Sequence, residues 1–182
     1  MFYLLSSIFL LVYIFFDNSL GFSETSAWWT HIAYNFQHAG IIHLLLNAFC
    51  FSQFYKVFKK IKKGNRHSIT PNKAVAIGGI VAVSCSFLPF CIKPLPTVGA
   101  SGIIYAMLGI YLSLLVGAYP CGRPAVKVPK KNLIIWLSGV AIALVVSFFN
   151  PHSAFALHLS CLIIGFLLSL RSHLTVNSIL NS

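Results

Sequence analysis

Five polar residues stand inside apolar runs of this chain: His38, His43, Asn47, Ser101 and His158. A polar or ionisable group in hydrocarbon costs several kcal/mol unless it has a partner or reaches water, so each is a functional candidate. His43 and Asn47 are four apart and share a helix face, whereas a helix turns His38 away from His43 by about 140°. Ser101, Tyr105 and Gly109 form a second stripe, and His158, Cys161 or Leu162, and Gly165 a third. Ser101 lies in "TVGASGIIYAMLG", residues 97–109, whose glycines and alanines suit close helix packing.

Every one of these residues also has a plain structural reading. A serine in an apolar helix commonly bonds the carbonyl one turn back. An intramembrane asparagine bonds a neighbouring helix, and small residues simply pack. The set argues for more, provided the fold brings sequence-distant polar groups to one level.

The chemistry open to such a set is narrow. The only acids, Asp17 and Glu24, fall together in one gap near the N-terminus, so no apolar segment carries a carboxylate pair. HExxH is absent, and Cys50, Cys85, Cys91, Cys121 and Cys161 show no metal-ligand spacing. They are expected as buried free thiols, and neither metal nor organic cofactor is expected. A Ser–His–Asp triad has no evident acid. What remains is a serine activated by a histidine, with neutral donors for an oxyanion.

The elements that must position these groups follow from composition. Hydrophobic residues make up 58% of 182 and charged residues 8%. Mean hydropathy is +0.85, and a soluble domain carries roughly a quarter charged residues. The expectation is an all-α polytopic membrane protein of six helices, near 1–16, 36–57, 73–92, 99–117, 132–149 and 154–170, forming one domain over 1–182. The first segment lacks a basic flank and is expected as a retained helix, although "TSA" before Trp28 faintly resembles a cleavage site.

The net charge of +11 does not point to nucleic acid, because of where it falls. Lys56, Lys59, Lys60, Lys62, Lys63, Arg66 and Lys73 lie between two apolar runs, and Arg123, Lys127, Lys130 and Lys131 between two others. By the positive-inside rule both loops are expected in the cytoplasm, where basic runs meet anionic lipid. The N-terminus and the C-terminus with Arg171 are then cytoplasmic. The second, fourth and sixth segments enter from the outer face, which puts all five polar groups at comparable depth. Trp28, Trp29 and Tyr34, in the first outer loop, are ring types suited to the membrane–water interface.

At this point the chain resembles the rhomboid family of intramembrane serine proteases. "GASGIIYAMLG", residues 99–109, is similar to the family's GxSG motif with its following Tyr and Gly. "HAGIIHLLLN", residues 38–47, is similar to its second-helix motif, and "ALHLSCLIIG", residues 156–165, to the sixth-helix motif bearing the catalytic histidine. The resemblance implies a six-helix bacterial form, multi-pass in the cell membrane, that cleaves single-span membrane proteins near the outer leaflet. It implies Ser101 as nucleophile, His158 as base and then acid, and His43, Asn47 and the Ser101 amide as oxyanion donors. His38 would support the site, Tyr105 would hold the His158 ring, and Gly99 and Gly102 would allow close approach. Two positions depart from the family pattern. Trp29-Thr30 stands where a Trp-Arg pair is frequent, which bears on how the first loop is anchored. Cys161 stands where glycine is usual, which implies looser packing of the sixth helix on the fourth. The alternative is a non-catalytic relative that binds membrane clients; a transporter or channel would want charged residues or broken helices along a path.

Overall fold

The computed structural model describes residues 2–16, 20–64, 69–117, 130–150 and 152–180. These residues form seven α-helices: α1 (Phe2–Phe15), α2 (Thr30–Ala33), α3 (Ile41–Gly64), α4 (Pro71–Ser86), α5 (Ser101–Gly117), α6 (Lys130–Phe149) and α7 (Phe155–Leu180). Among them there is no strand, only an isolated antiparallel bridge between Phe22 and Thr97.

Local chemistry explains several helix ends. Thr70 Oγ1 accepts the Lys73 amide at 3.1 Å and Pro71 fills the first helical position, a standard start for α4. Pro89 and Pro94 keep the following stretch out of an α-helix, so α4 ends at Ser86, six residues short of the expected boundary. Two other helices run past expectation, α3 to Gly64 and α7 to Leu180. Lys59, Lys60, Lys62 and Lys63 therefore ride on the last turns of α3 instead of a loop, where cations suit the negative end of the helix dipole. Asp17, Arg66, Cys121, Arg123 and Lys127 lie outside the described residues.

α5 is the centre of the bundle, packed between α3, α4 and α7, while α1 rests on α3 and α6 on α7. The closest approach is α5 to α7, and it depends on two glycines. A Cβ at Gly109 would fall on the Leu162 carbonyl, and one at Gly165 on the Ala106 carbonyl. Phe51, Phe54, Phe58, Met107, Ile110, Leu114 and Leu157 fill the core.

The outer faces are as apolar as the core. Ile42, Leu45, Leu46 and Phe49 on α3, Ile142, Val145 and Val146 on α6, and Leu167 and Leu168 on α7 are all exposed. An apolar surface this extensive is unfavourable in water. Ile41–Ile61 is long and apolar enough to cross a membrane; Leu4–Phe15, Ser101–Leu115, Leu137–Phe149 and Phe155–Leu170 are shorter apolar helices.

The first loop folds more than its sequence suggests. It contains α2 and a 3-10 turn, Tyr34–Phe36. Tyr34 is not an interfacial ring: it is 0% exposed, against 71% for Trp28. Its hydroxyl donates to the Ala82 carbonyl of α4 at 3.1 Å, which removes the usual reason for a tyrosine to seek water. Thr30, standing where an arginine is frequent, is buried and donates to the Ala27 carbonyl at 2.6 Å. Anchoring of the loop falls instead to Tyr34 and to His31, whose Nδ1 lies 3.0 Å from Ser86 Oγ.

Candidate active site

Ser101 is the first residue of α5 and His158 lies in the first turn of α7. The close α5–α7 packing brings Ser101 Oγ within 2.8 Å of His158 Nε2 across 57 residues of sequence. Tyr105, one turn along α5, stacks on the His158 ring with centroids 4.5 Å apart and planes at 17°. The imidazole is thus held on one face by a flat aromatic contact and at Nε2 by the serine hydroxyl.

The segment entering α5 has a conformation that favours glycine: Gly99 has φ +116°. Its N–H donates to the Tyr34 carbonyl at 2.9 Å. Just before it, Thr97 and Phe22 exchange backbone hydrogen bonds of 2.8 and 3.2 Å. The first loop therefore fixes the backbone from which Ser101 springs. Gly102 sits on the other side, where a Cβ would come within 3.2 Å of Ala82 Cβ and the Tyr34 hydroxyl and 3.5 Å of Cys161 Sγ. Cys161 is fully buried there.

His43 and Asn47 occupy the first two turns of α3 and meet the same segment. A Cβ at Gly99 would stand 2.7 Å from His43 Cε1, 2.9 Å from His43 Nε2 and 3.7 Å from Asn47 Nδ2. Asn47 Nδ2 donates to the His43 carbonyl at 3.0 Å, and its second amide hydrogen is available to another acceptor. His38 departs from expectation in one respect: α3 begins at Ile41, so His38 lies in the preceding turn and its helix-face relation to His43 does not apply. It is buried, with its ring 5.3 Å from those of both His43 and Phe9. By distance and angle neither ring nitrogen makes a full hydrogen bond to a described residue, although the Phe36 backbone interacts with the ring. It is a packing neighbour of His43.

All eight residues singled out from sequence thus gather around the start of α5. The structure adds others. His158 Nδ1 lies 3.0 Å from Ser147 Oγ on α6, and Ser147 Oγ contacts Ser153 Oγ in the α6–α7 turn. Lys93 Nζ donates to the Ser153 carbonyl. Ser147 carries no sequence signal beyond being a hydroxyl in an apolar segment, flanking the Asn150-Pro151 break with Ser153.

A serine–imidazole contact at the end of one helix, with a histidine and an asparagine from a second, bears comparison with known proteins. The rhomboid domain model matches residues 25–174, a range holding every residue of the site. The chain belongs to the rhomboid family. A rhomboid relative from Bacillus subtilis (strain 168), named "Putative rhomboid protease YdcA", is 29% identical over 142 residues, covering 78% of this chain. The matched part is 66% of that relative, just under two thirds of its length. The three motifs on α3, α5 and α7 all fall within the rhomboid match.

Proposed function

We propose that this rhomboid chain is an intramembrane serine endopeptidase with Ser101 and His158 as its dyad. The observation that carries the reading is the 2.8 Å contact between Ser101 Oγ and His158 Nε2, made at the start of a helix and backed by the Tyr105 stack.

In the first step Ser101 Oγ attacks the carbonyl carbon of a peptide bond. The hydroxyl proton passes to His158 Nε2, and the carbonyl π pair moves onto oxygen. The oxyanion is met by His43, by the free Asn47 amide hydrogen and by the Ser101 backbone N–H, which at a helix start has no intrahelical acceptor. The Gly99 N–H is excluded as a donor, since Tyr34 holds it. Collapse expels the amine, which takes the proton back from His158 and leaves an acyl-enzyme on Ser101. Water, deprotonated by His158, then attacks the ester, and its collapse returns the proton to Ser101. Each oxyanion donor of this kind is worth on the order of 3 kcal/mol.

The location follows the same reading. The apolar outer faces of α3, α6 and α7 suit lipid, which supports a multi-pass membrane domain, read here as one of a bacterial cell membrane. The basic runs favour cytoplasmic termini on this reading. Ser101, His158, His43 and Asn47 then stand towards the outer leaflet, where water can reach them. The substrates are single-span membrane proteins, cut most readily where their helix is weak, because an intact helix hides its amides.

The test is cleavage of a labelled single-span substrate by purified protein in liposomes, with Ser101→Ala and His158→Ala alongside. Loss of cleavage in both, with Ser101 labelled by a fluorophosphonate in the wild type only, is the expected result. Cleavage that survives Ser101→Ala overturns the assignment.

A further inference from the structure

We propose that Ser147, on α6, is a positioning residue for His158. The inference rests on the dyad reading above. For Nε2 to take the Ser101 proton, a neutral imidazole must carry its hydrogen on Nδ1. That hydrogen then needs an acceptor, because a buried N–H without one is costly. Ser147 Oγ, 3.0 Å from Nδ1, is that acceptor. Ser147 and His158 are both buried, so bulk water does not stand in for the hydroxyl.

Ser147 is itself held. Its oxygen contacts Ser153 Oγ, and the Ser153 carbonyl accepts from Lys93 Nζ, which arrives from the stretch between α4 and α5. A hydroxyl oxygen has two lone pairs, so Ser147 can receive His158 Nδ1–H and still hydrogen-bond to Ser153. The imidazole is thereby fixed on three sides: Ser101 at Nε2, Ser147 at Nδ1 and Tyr105 on its face. The Nδ1 bond strengthens as the ring takes the serine proton and becomes an imidazolium. Its contribution is therefore greater in the transition state than in the ground state, which assigns it to turnover and not to substrate binding. Ser147 touches neither substrate nor reacting atoms. It performs with a neutral oxygen the orienting task that an aspartate performs in a triad, which fits a chain whose apolar segments carry no carboxylate.

The experiment compares Ser147→Ala and Ser147→Thr with wild type in the liposome assay, reading kcat and KM separately and the melting temperature of each protein. Expected for Ser147→Ala is a fall in kcat of about ten- to a hundredfold with KM held within about twofold. Ser147→Thr, which restores the hydroxyl, is expected to recover most of kcat. A wild-type kcat in Ser147→Ala, with Ser101→Ala and His158→Ala inactive, overturns the role of Ser147 and leaves the dyad standing. Equal losses in the alanine and threonine variants also overturn it, since the site would then be sensitive to packing alone. Undiminished cleavage by Ser101→Ala sinks the dyad reading itself.

Discussion

Tyr105 lies nearly parallel to the His158 ring, with centroids 4.5 Å apart, one turn of α5 beyond the serine that contacts the same imidazole. One helix therefore presents both the hydroxyl that contacts the histidine and the surface that steadies it. An aromatic pair adds about 0.5–1.5 kcal/mol beyond area burial. Tyr105→Phe keeps the stack and should retain near-wild-type cleavage, while Tyr105→Ala should lose roughly three- to tenfold in rate. Equal rates for the two would mean that the stack does nothing for turnover.

The glycines of α5 and α7 give a sharper contrast. Gly109→Ala and Gly165→Ala each drive a Cβ into the backbone of the opposing helix. Such overpacking costs about 1–3 kcal/mol or more, and it pushes Ser101 away from His158. Gly139 on α6 has nothing within 4 Å of a built Cβ, so Gly139→Ala should be neutral or slightly stabilising. Thermal denaturation beside the cleavage assay checks this. A Gly109→Ala protein as stable and active as Gly139→Ala would contradict the packing described.

Gly99→Ala should abolish most activity. An L side chain at φ +116° is strained by about 1–3 kcal/mol, and its Cβ would press on the His43 ring. Gly40→Ala, a nearby glycine with open space around it, serves as the control and should cleave normally. If the two variants cleave alike, the Gly99 backbone is not what shapes the oxyanion region.

His31 gives the first loop a pH dependence. It is buried between the rings of Phe22 and Phe87, at 4.9 and 4.0 Å, and burial lowers its pKa from the ordinary 6.5, opposed in part by a hydrogen bond its ring donates to the Ser86 backbone. A depressed folded-state value means that the unfolded chain binds the proton more readily. The stabilisation is thus complete above about pH 6.5 and is lost as pH falls through that value towards the folded one. Melting curves from pH 8 to 5 should show wild type losing more stability than His31→Phe. Parallel curves would remove His31 from the account.

Much of the site could be read from sequence because its members are polar residues in apolar runs. His43, Asn47, Ser101 and His158 stand out for that reason, and the i, i+4 step from Ser101 to Tyr105 puts both on one helix face. What could not be read depends on turns. Ser147 meets His158 only because the chain reverses between α6 and α7 around Asn150 and Ser153. His38 left its expected helix because α3 starts at Ile41, five residues after the expected boundary, and the cap residue in "HAGII" is Gly40, a weaker signal than serine, asparagine or aspartate. Tyr34 looked interfacial because its partner, the Ala82 carbonyl, is backbone and has no sequence signature. The bounds of α3 and α7 were missed for a related reason: lysines and serines suggest a loop, yet they are well tolerated on a helix end.

The pairing of Phe22 with Thr97 and of Gly99 with Tyr34 has a consequence for anyone wishing to exchange parts between relatives. The first loop is not a detachable module that could be swapped to change substrate preference. Its backbone is one wall of the mould in which the segment leading into Ser101 is cast, so a transplanted loop would have to bring matching hydrogen-bond registers at both points. Chimeras that ignore those registers should be inactive for want of a correctly presented serine, even where their binding surfaces are right.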